Sequence, residues 1–257
     1  MIKISVLHNE LDKFVEEKSG FSVFIEAFGK KILFDTSIDK DILKNAKKLG
    51  IDLFDSDYIV LSHGHWDHTE GLKYLKGIKA EIIAHPDCFE KKYYDKVSIG
   101  SPFSKEEMKR YFNLILSKEH YFIDENIVFL GEIPRRTEFE CTKSIGYLEN
   151  GKDDFVLDDS ALVIKTDRGL IIISGCSHAG ICNIVKYAKE VCKEERILVL
   201  LGGFHLFDKK VTDRTVNFIK DQNIKHIYPA HCLDEYAFSE FEKIGAKRIH
   251  TCQVLVI

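Results

Sequence analysis

Ser62-His63-Gly64-His65-Trp66-Asp67-His68 follows directly on a short apolar run, Tyr58-Ile59-Val60-Leu61, and its reading decides the fold. Four apolar residues bounded by polar ones suit a buried strand. The strand delivers two imidazoles, a carboxylate and a third imidazole within six residues. Imidazole and carboxylate are the ligands of Zn, Fe and Mn. His63 and His65 sit two apart, so in an extended segment both point the same way and reach one ion. Asp67 and His68 come after Trp66, where the chain changes direction, and face a second ion beside the first. Gly64 puts no side chain between the pair. A histidine-rich surface turn is the bland alternative, but it would not sit at the end of a buried strand.

Working outward, imidazoles recur where other apolar runs end: His178 after 170–174, His205 after 197–201 and His231 after 224–228. In layered α/β folds, residues at one end of the strands converge on a site. Two divalent ions about 3.5–4 Å apart share a water and lower its pKa toward neutrality. No GxSxG elbow, phosphate-binding P-loop or GxGxxG dinucleotide motif competes with this reading.

The 257 residues are 45% apolar, enough for a full core and too apolar for a disordered chain. With 37 basic and 41 acidic residues the net charge is −4, which leaves no electrostatic footprint for nucleic acid. No run of 18 apolar residues marks a membrane span. Residues 1–14 read as a strand rather than a signal peptide. The seven cysteines form no CxxC pair, so reduced thiols in a cytoplasm fit better than a disulfide framework.

Strand and helix signals alternate, as in an α/β domain. Hairpins are expected over 21–34, through Gly29-Lys30, and over 161–174, through Asp167-Arg168-Gly169. Helices are expected over 40–49 with Asp39 as N-cap, and over 69–75, 105–112, 180–191, 211–221 and 235–244. From 86 to 136 the pattern loosens, and the segment reads as an insertion or lid on a single domain of residues 1–257. Its aromatics (Phe89, Tyr93, Tyr94, Phe103, Tyr111, Phe112) either pack it on the core or line a pocket for a flat ring.

At HGHWDH the chain resembles the metallo-β-lactamase superfamily, whose signature is HxHxDH. The resemblance runs over nearly the whole chain: a hairpin ending in Asp35-Thr36, the signature, a mid-chain ligand and a late histidine after a strand. It implies an αββα sandwich with the site at the edge between two sheets. Ser174-Gly175-Cys176-Ser177-His178-Ala179-Gly180-Ile181 with Gly202-Gly203-Phe204-His205-Leu206, and Gly131-Glu132-Ile133-Pro134-Arg135, are similar to a narrower branch. Its members are called metal-dependent hydrolases, and some 7,8-dihydropterin-6-methyl-4-(β-D-ribofuranosyl)-aminobenzene-5′-phosphate synthase, a transferase. Many relatives bridge the two metals with an Asp in a TGD-like turn. Here Cys176 stands in that turn, and the HTPG stretch that commonly precedes it is replaced by Asp158-Asp159-Ser160.

The resemblance and the spacing together imply His63, His65, Asp67, His68, His178 and His231 as metal ligands, for one or two Zn, or Mn or Fe. Asp67 and His205 are the expected catalytic groups. Arg135, His205 and Cys176 are the expected substrate-binding residues, Arg135 because a guanidinium binds phosphate bidentately. Asp35 is expected to orient a histidine through Nδ1, Asp159 is a further candidate, and Asn9 approaches from the first strand. His8, His85, His120, His226 and His250 are assigned to surface or packing.

The leading expectation is a metal-dependent hydrolase. A metal-held hydroxide attacks a phosphoester or other ester-type small molecule, Asp67 orients or deprotonates the water, and His205 or Arg135 holds the substrate. The alternatives are dihydropterin transfer onto a ribosyl-aminobenzene phosphate at the same site, a diiron oxidoreductase, and a non-catalytic metal-binding protein. The expected partner is a phosphate-bearing small molecule, with homo-oligomerisation left open.

Overall fold

The computed structural model describes residues 1–10 and 19–257. Seven strands form the first sheet, in the spatial order Val254–Val256, Lys3–Asn9, Phe21–Ala27, Lys30–Phe34, Tyr58–Val60, Glu81–Ala84 and Asn113–Leu116. Six form the second: His226–Pro229, Ile197–Gly202, Gly169–Ser174, Ala161–Thr166, Ile127–Phe129 and Tyr121–Phe122. The two sheets face each other, and helices cover their outer faces.

The apolar pattern explains the layering. Most strands are buried on both faces, so successive residues point alternately to two different cores. In the first sheet Ile32 and Phe34 point inward, to a core shared with Phe129, Leu162, Ile171, Ile173 and Leu201 of the second. Leu33, Ile59 and Ile82 point outward, against Ile42 and Ala46 of the helix Asp41–Lys48. In the second sheet Val163, Leu170, Ile172 and Leu200 point outward, against the helices Ile181–Cys192, Lys209–Asp221 and Glu235–Glu242. Three apolar layers therefore separate helix, sheet, sheet and helix, which is an αββα sandwich. Truncating a residue such as Ile32 to Ala in the central layer is expected to cost about 2–5 kcal/mol.

Local chemistry adjusts several expected boundaries. The first hairpin turns at Phe28 and Gly29, both with positive φ, one residue before the expected Gly29-Lys30. The helix Asp41–Lys48 has Lys40 as N-cap, although Asp39 Oδ1 still accepts from Asp41 N at 2.8 Å. The helix expected over 69–75 begins earlier, as a single turn over Trp66–Thr69, and continues as a 3₁₀ stretch over Glu70–Tyr74. Part of the metal motif itself is therefore helical.

The segment 86–136 does not stand apart as one lid. Asn113–Leu116 closes one edge of the first sheet, and Tyr121–Phe122 and Ile127–Phe129 complete the second. What leaves the sandwich is shorter. Lys92–Tyr94 and Val97–Ser98 pair in a small third sheet with Gly146–Leu148 and Asp153–Asp154. This third sheet lies against the metal motif: Trp66 N donates to Ile99 O at 3.1 Å, and His65 forms a bridge with Gly100.

Candidate metal centre

The strands Lys30–Phe34 and Tyr58–Val60 run parallel, as do Gly169–Ser174, Ile197–Gly202 and His226–Pro229. Their C-terminal ends lie at one edge of the sandwich and release Asp35, His63, His178, His205 and His231. The backbone there is strained. Asp35 (φ 54), Ser177 (φ 63), His205 (φ 47), His231 (φ 45) and Cys232 (φ 33) all occupy the left-handed region. Such conformations cost of order 1–3 kcal/mol each and cluster where a site over-determines the chain.

The ligand atoms fall into two lobes. In the first, His63 Nε2 lies 3.0 Å from His65 Nδ1, which lies 3.2 Å from His178 Nε2. In the second, His68 Nε2 lies 3.1 Å from His231 Nε2, and Asp67 Oδ2 lies 3.8 and 3.5 Å from these two nitrogens. Each set of three lies within 4.8 Å and is buried. A tetrahedral ion with metal–nitrogen bonds of about 2.0–2.1 Å holds its ligand atoms about 3.3 Å apart. The six expected ligands thus converge at the spacing that two small divalent cations require.

Proton bookkeeping gives an independent test of fit. Ser62 Oγ donates to Asp35 Oδ2 at 2.7 Å and so accepts from His63 Nδ1 at 2.9 Å, which leaves His63 Nε2 as a lone pair. His68 Nδ1 lies 2.7 Å from Asp35 Oδ2, and His231 Nδ1 lies 2.9 Å from Glu10 Oε1. A carboxylate behind an imidazole fixes its tautomer and turns the far nitrogen toward a metal. All three Nε2 atoms therefore face the centre as potential donors of electrons. Three nitrogens facing one another in the first lobe cannot all satisfy one another, whereas a cation between them satisfies all three. The residues fit a pair of metal ions.

The charges differ between the lobes. Burial, reinforced by neighbouring His68, His65 and His178, pushes His63 well below the usual imidazole range. Burial likewise lowers His65, to about 4. His178 is also lowered, by burial and by His205 and His65. In the second lobe burial opposes protonation, but Asp67 and Asp35 outweigh it and raise His68. At His231, burial is outweighed by Cys232, Glu10 and Asp67, and the imidazole rises to about 10.

The structure adds residues that spacing alone did not reveal. Glu10 accepts from Cys232 N at 3.0 Å and from Gly20 N at 3.1 Å while holding His231. Asn9, expected near the site, accepts from His231 N at 3.0 Å through Oδ1. Asp158 Oδ2 accepts from Gly64 N at 2.7 Å, between the two first ligands, and its Oδ1 receives Lys92 Nζ at 2.6 Å. Lys92 comes from the third sheet and is almost fully buried. Ser19 Oγ donates to Asp67 Oδ2 at 2.8 Å.

His205 is not among the converging ligand atoms of the described residues. Its ring centroid lies 4.3 Å from that of His178 and 5.3 Å from that of Phe207. Its Nδ1 is buried without a hydrogen-bond partner among the described residues. Beside it opens a cleft of about 480 Å³ lined by Phe139, Phe155, Phe204, Phe207 and Lys143, with His178 and His205 in its wall. That size suits a small molecule. The aromatics of the 86–136 segment do not line this cleft: Phe89 and Phe112 are buried in the outer core, and Tyr93 stacks on Tyr147 at 5.7 Å.

Three expectations change. Arg135 donates through Nη2 to the carbonyls of Phe155 and Val156, so its guanidinium ties down the loop beside the cleft instead of presenting a fork to an anion. Asp159 accepts from Ala179 N at 2.9 Å, and burial raises its carboxyl to about 7. It belongs to no converging ligand set among the described residues. Cys176, expected to touch substrate, lies deeper: its Sγ is 3.2 Å from His68 Nε2 and 3.1 Å from His231 Nε2.

The model of the metallo-beta-lactamase superfamily matches residues 15–189. The protein MJ0448 of Methanocaldococcus jannaschii is 37% identical over 256 residues, 95% of each chain. A second protein of that organism, named 7,8-dihydropterin-6-methyl-4-(beta-D-ribofuranosyl)-aminobenzene-5′-phosphate synthase, is 34% identical over 260 residues, 92% of this chain and 88% of that one. The crystal structure of Tm1679, described as a metal-dependent hydrolase of the beta-lactamase superfamily, has a TM-score of 0.88 at 29% identity and covers 100% of this chain and 99% of its own. Zinc-bound PqqB from Methylobacterium extorquens shares the fold, with a TM-score of 0.60 at 12% identity, over 99% of this chain and 100% of its own. The chain belongs to the metallo-beta-lactamase superfamily.

Proposed function

We propose that this member of the superfamily is a metal-dependent hydrolase of a small phosphoester or other ester-type molecule. The observation that carries the reading is the convergence of His63, His65 and His178 with Asp67, His68 and His231 beside an open cleft. Zinc, or manganese or iron, held there would supply a Lewis acid and an activated water at neutral pH.

The protein's own groups supply the rest. Asp67 is held below the usual carboxylate range: burial opposes this, but His68, His231 and His65 prevail. It therefore stays anionic, able to bind cation or orient a water. The His205 ring, half-buried in the cleft wall beside His178, is placed to hydrogen-bond a substrate oxygen or pass a proton to a leaving group. Phe155 and Phe207, both exposed at the cleft, offer apolar faces to the rest of the substrate. Lys143 supplies the cation for a phosphate that Arg135 is not free to provide.

The test is a panel of phosphodiesters, phosphomonoesters and lactones offered to protein loaded with zinc or manganese. Turnover that disappears on chelation and in His205→Ala supports the reading. A second reading has one specific support, the 34% identical synthase that spans 92% of the chain. That reading is transfer of a dihydropterin onto a ribofuranosyl-aminobenzene phosphate. A chain inert toward every ester, yet joining those two partners, would replace hydrolysis with transfer.

A further inference from the structure

We infer that Asp158-Asp159-Ser160 is the positioning segment of the first lobe, setting His63, His65 and His178 together while leaving His68 and His231 to other supports. This rests on the reading of the centre as a metal pair, not on the reaction proposed for it.

Each of the three residues takes hold beside a different ligand. Ser160 N donates to Ser62 O at 2.9 Å, one residue before His63, and Ser62 Oγ is the group that accepts from His63 Nδ1. Asp158 Oδ2 accepts from Gly64 N at 2.7 Å, between His63 and His65. A Cβ at Gly64 would lie 1.8 Å from Cys88 O, so this peptide is packed against Cys88 and has no room to shift. Asp159 Oδ2 accepts from Ala179 N at 2.9 Å, one residue after His178. His63 follows a strand of the first sheet and His178 a strand of the second, so three successive residues tie together the ligand-bearing ends of both. Among the described residues, none of these bonds reaches Asp67, His68 or His231, which are held by Ser19, Asp35 and Glu10.

The segment is itself fixed from both sides. Lys92 Nζ donates to Asp158 Oδ1 at 2.6 Å and lies 3.5 Å from Asp154 Oδ2, all three side chains buried. Arg135 donates to the carbonyls of Phe155 and Val156. Asp154 Oδ1 accepts from Val156 N at 2.7 Å, and Asp159 N donates to Val156 O at 3.1 Å. Val156 is buried and β-branched, yet its φ is 51. A branched residue keeps that strained conformation only where its surroundings impose it. Removing a partner that orients metal ligands costs about 10- to 100-fold in metal affinity.

The experiment titrates the chelator-stripped full chain with zinc against a chelating indicator that resolves two affinities. Asp159→Ala should weaken one ion about 10- to 100-fold, leave the other unchanged and keep the far-UV spectrum. Asp159→Asn, which keeps an acceptor for Ala179 N, should recover all but about threefold of the loss. In the His65→Ala chain, which retains the second-lobe ion, adding Asp159→Ala should shift the remaining affinity by less than about threefold. Should Asp159→Ala not fold, Asp158→Asn, which keeps its size, carries the same comparison. Equal weakening of both ions, no weakening of either, or loss of the remaining ion in the His65→Ala chain overturns the inference. Those results would leave a wild type that hydrolyses esters with its proposed reaction intact. Selective weakening in a protein that hydrolyses no ester does the reverse.

Discussion

In the lobe of His63, His65 and His178 the imidazoles are held neutral, by burial and by one another. In the lobe of Asp67, His68 and His231 they are held ready to carry charge, by Asp67 and Asp35 at His68 and by Cys232, Glu10 and Asp67 at His231. The supports differ as well. The first lobe is braced by a backbone contact, Gly64 N to Asp158, backed by Lys92 from the third sheet. The second is braced by carboxylates behind its histidines, from the ends of the strands Lys3–Asn9 and Lys30–Phe34. Two arrangements of one ligand chemistry therefore need not bind metal alike. The first offers lone pairs with no protons to displace. The second offers stronger attraction for a cation and must release protons to take one.

The contrast can be broken at its supports. Asp35→Ala removes the buried acceptor of Ser62 N, Ser62 Oγ and His68 Nδ1 together. It should cost about 3–5 kcal/mol and lower Tm by about 10 °C, since buried groups that lose a charged partner are expensive. A melt within about 1 kcal/mol of wild type would show that Asp35 does not hold the second lobe. His205→Ala should keep both ions by elemental analysis and slow ester hydrolysis about 10²-fold. Loss of an ion instead would make His205 a ligand.

Glu10→Gln keeps the size of the group behind His231 and removes its charge. It should weaken zinc at the second lobe about 10- to 100-fold and leave the first unchanged, read by titration against a chelating indicator. Equal weakening of both ions would erase the distinction between the lobes. Asp158→Asn should give the smallest effect, about tenfold, on the first lobe alone, because one good acceptor of Gly64 N remains.

Much of this centre could be read from residue order. The strand Tyr58–Val60 and the motif after it announce the first four candidate ligands, and His178 and His231 are marked by the apolar strands that precede them. Supporting residues carry no such mark. Lys92 resembles any exposed lysine until pairing of Tyr93 with Tyr147, far apart in sequence, buries it on Asp158. Glu10 reads as one more exposed loop carboxylate unless the chain after His226–Pro229 is known to return beside the end of the first strand. The segment 86–136 looked irregular because its strands are short, two to four residues each, and take their stability from sheets assembled elsewhere in the chain. Arg135 misled for the opposite reason: its chemistry suits an anion, but two nearby carbonyls claim it.

The most direct test of the central claim is the metal content of untagged protein, wild type and His65→Ala, by elemental analysis after equilibration with zinc. Two ions per chain falling to one in the variant, with an unchanged far-UV spectrum, is the predicted result. One ion or none in the wild type, or two in both proteins, would contradict a centre of two separately held lobes.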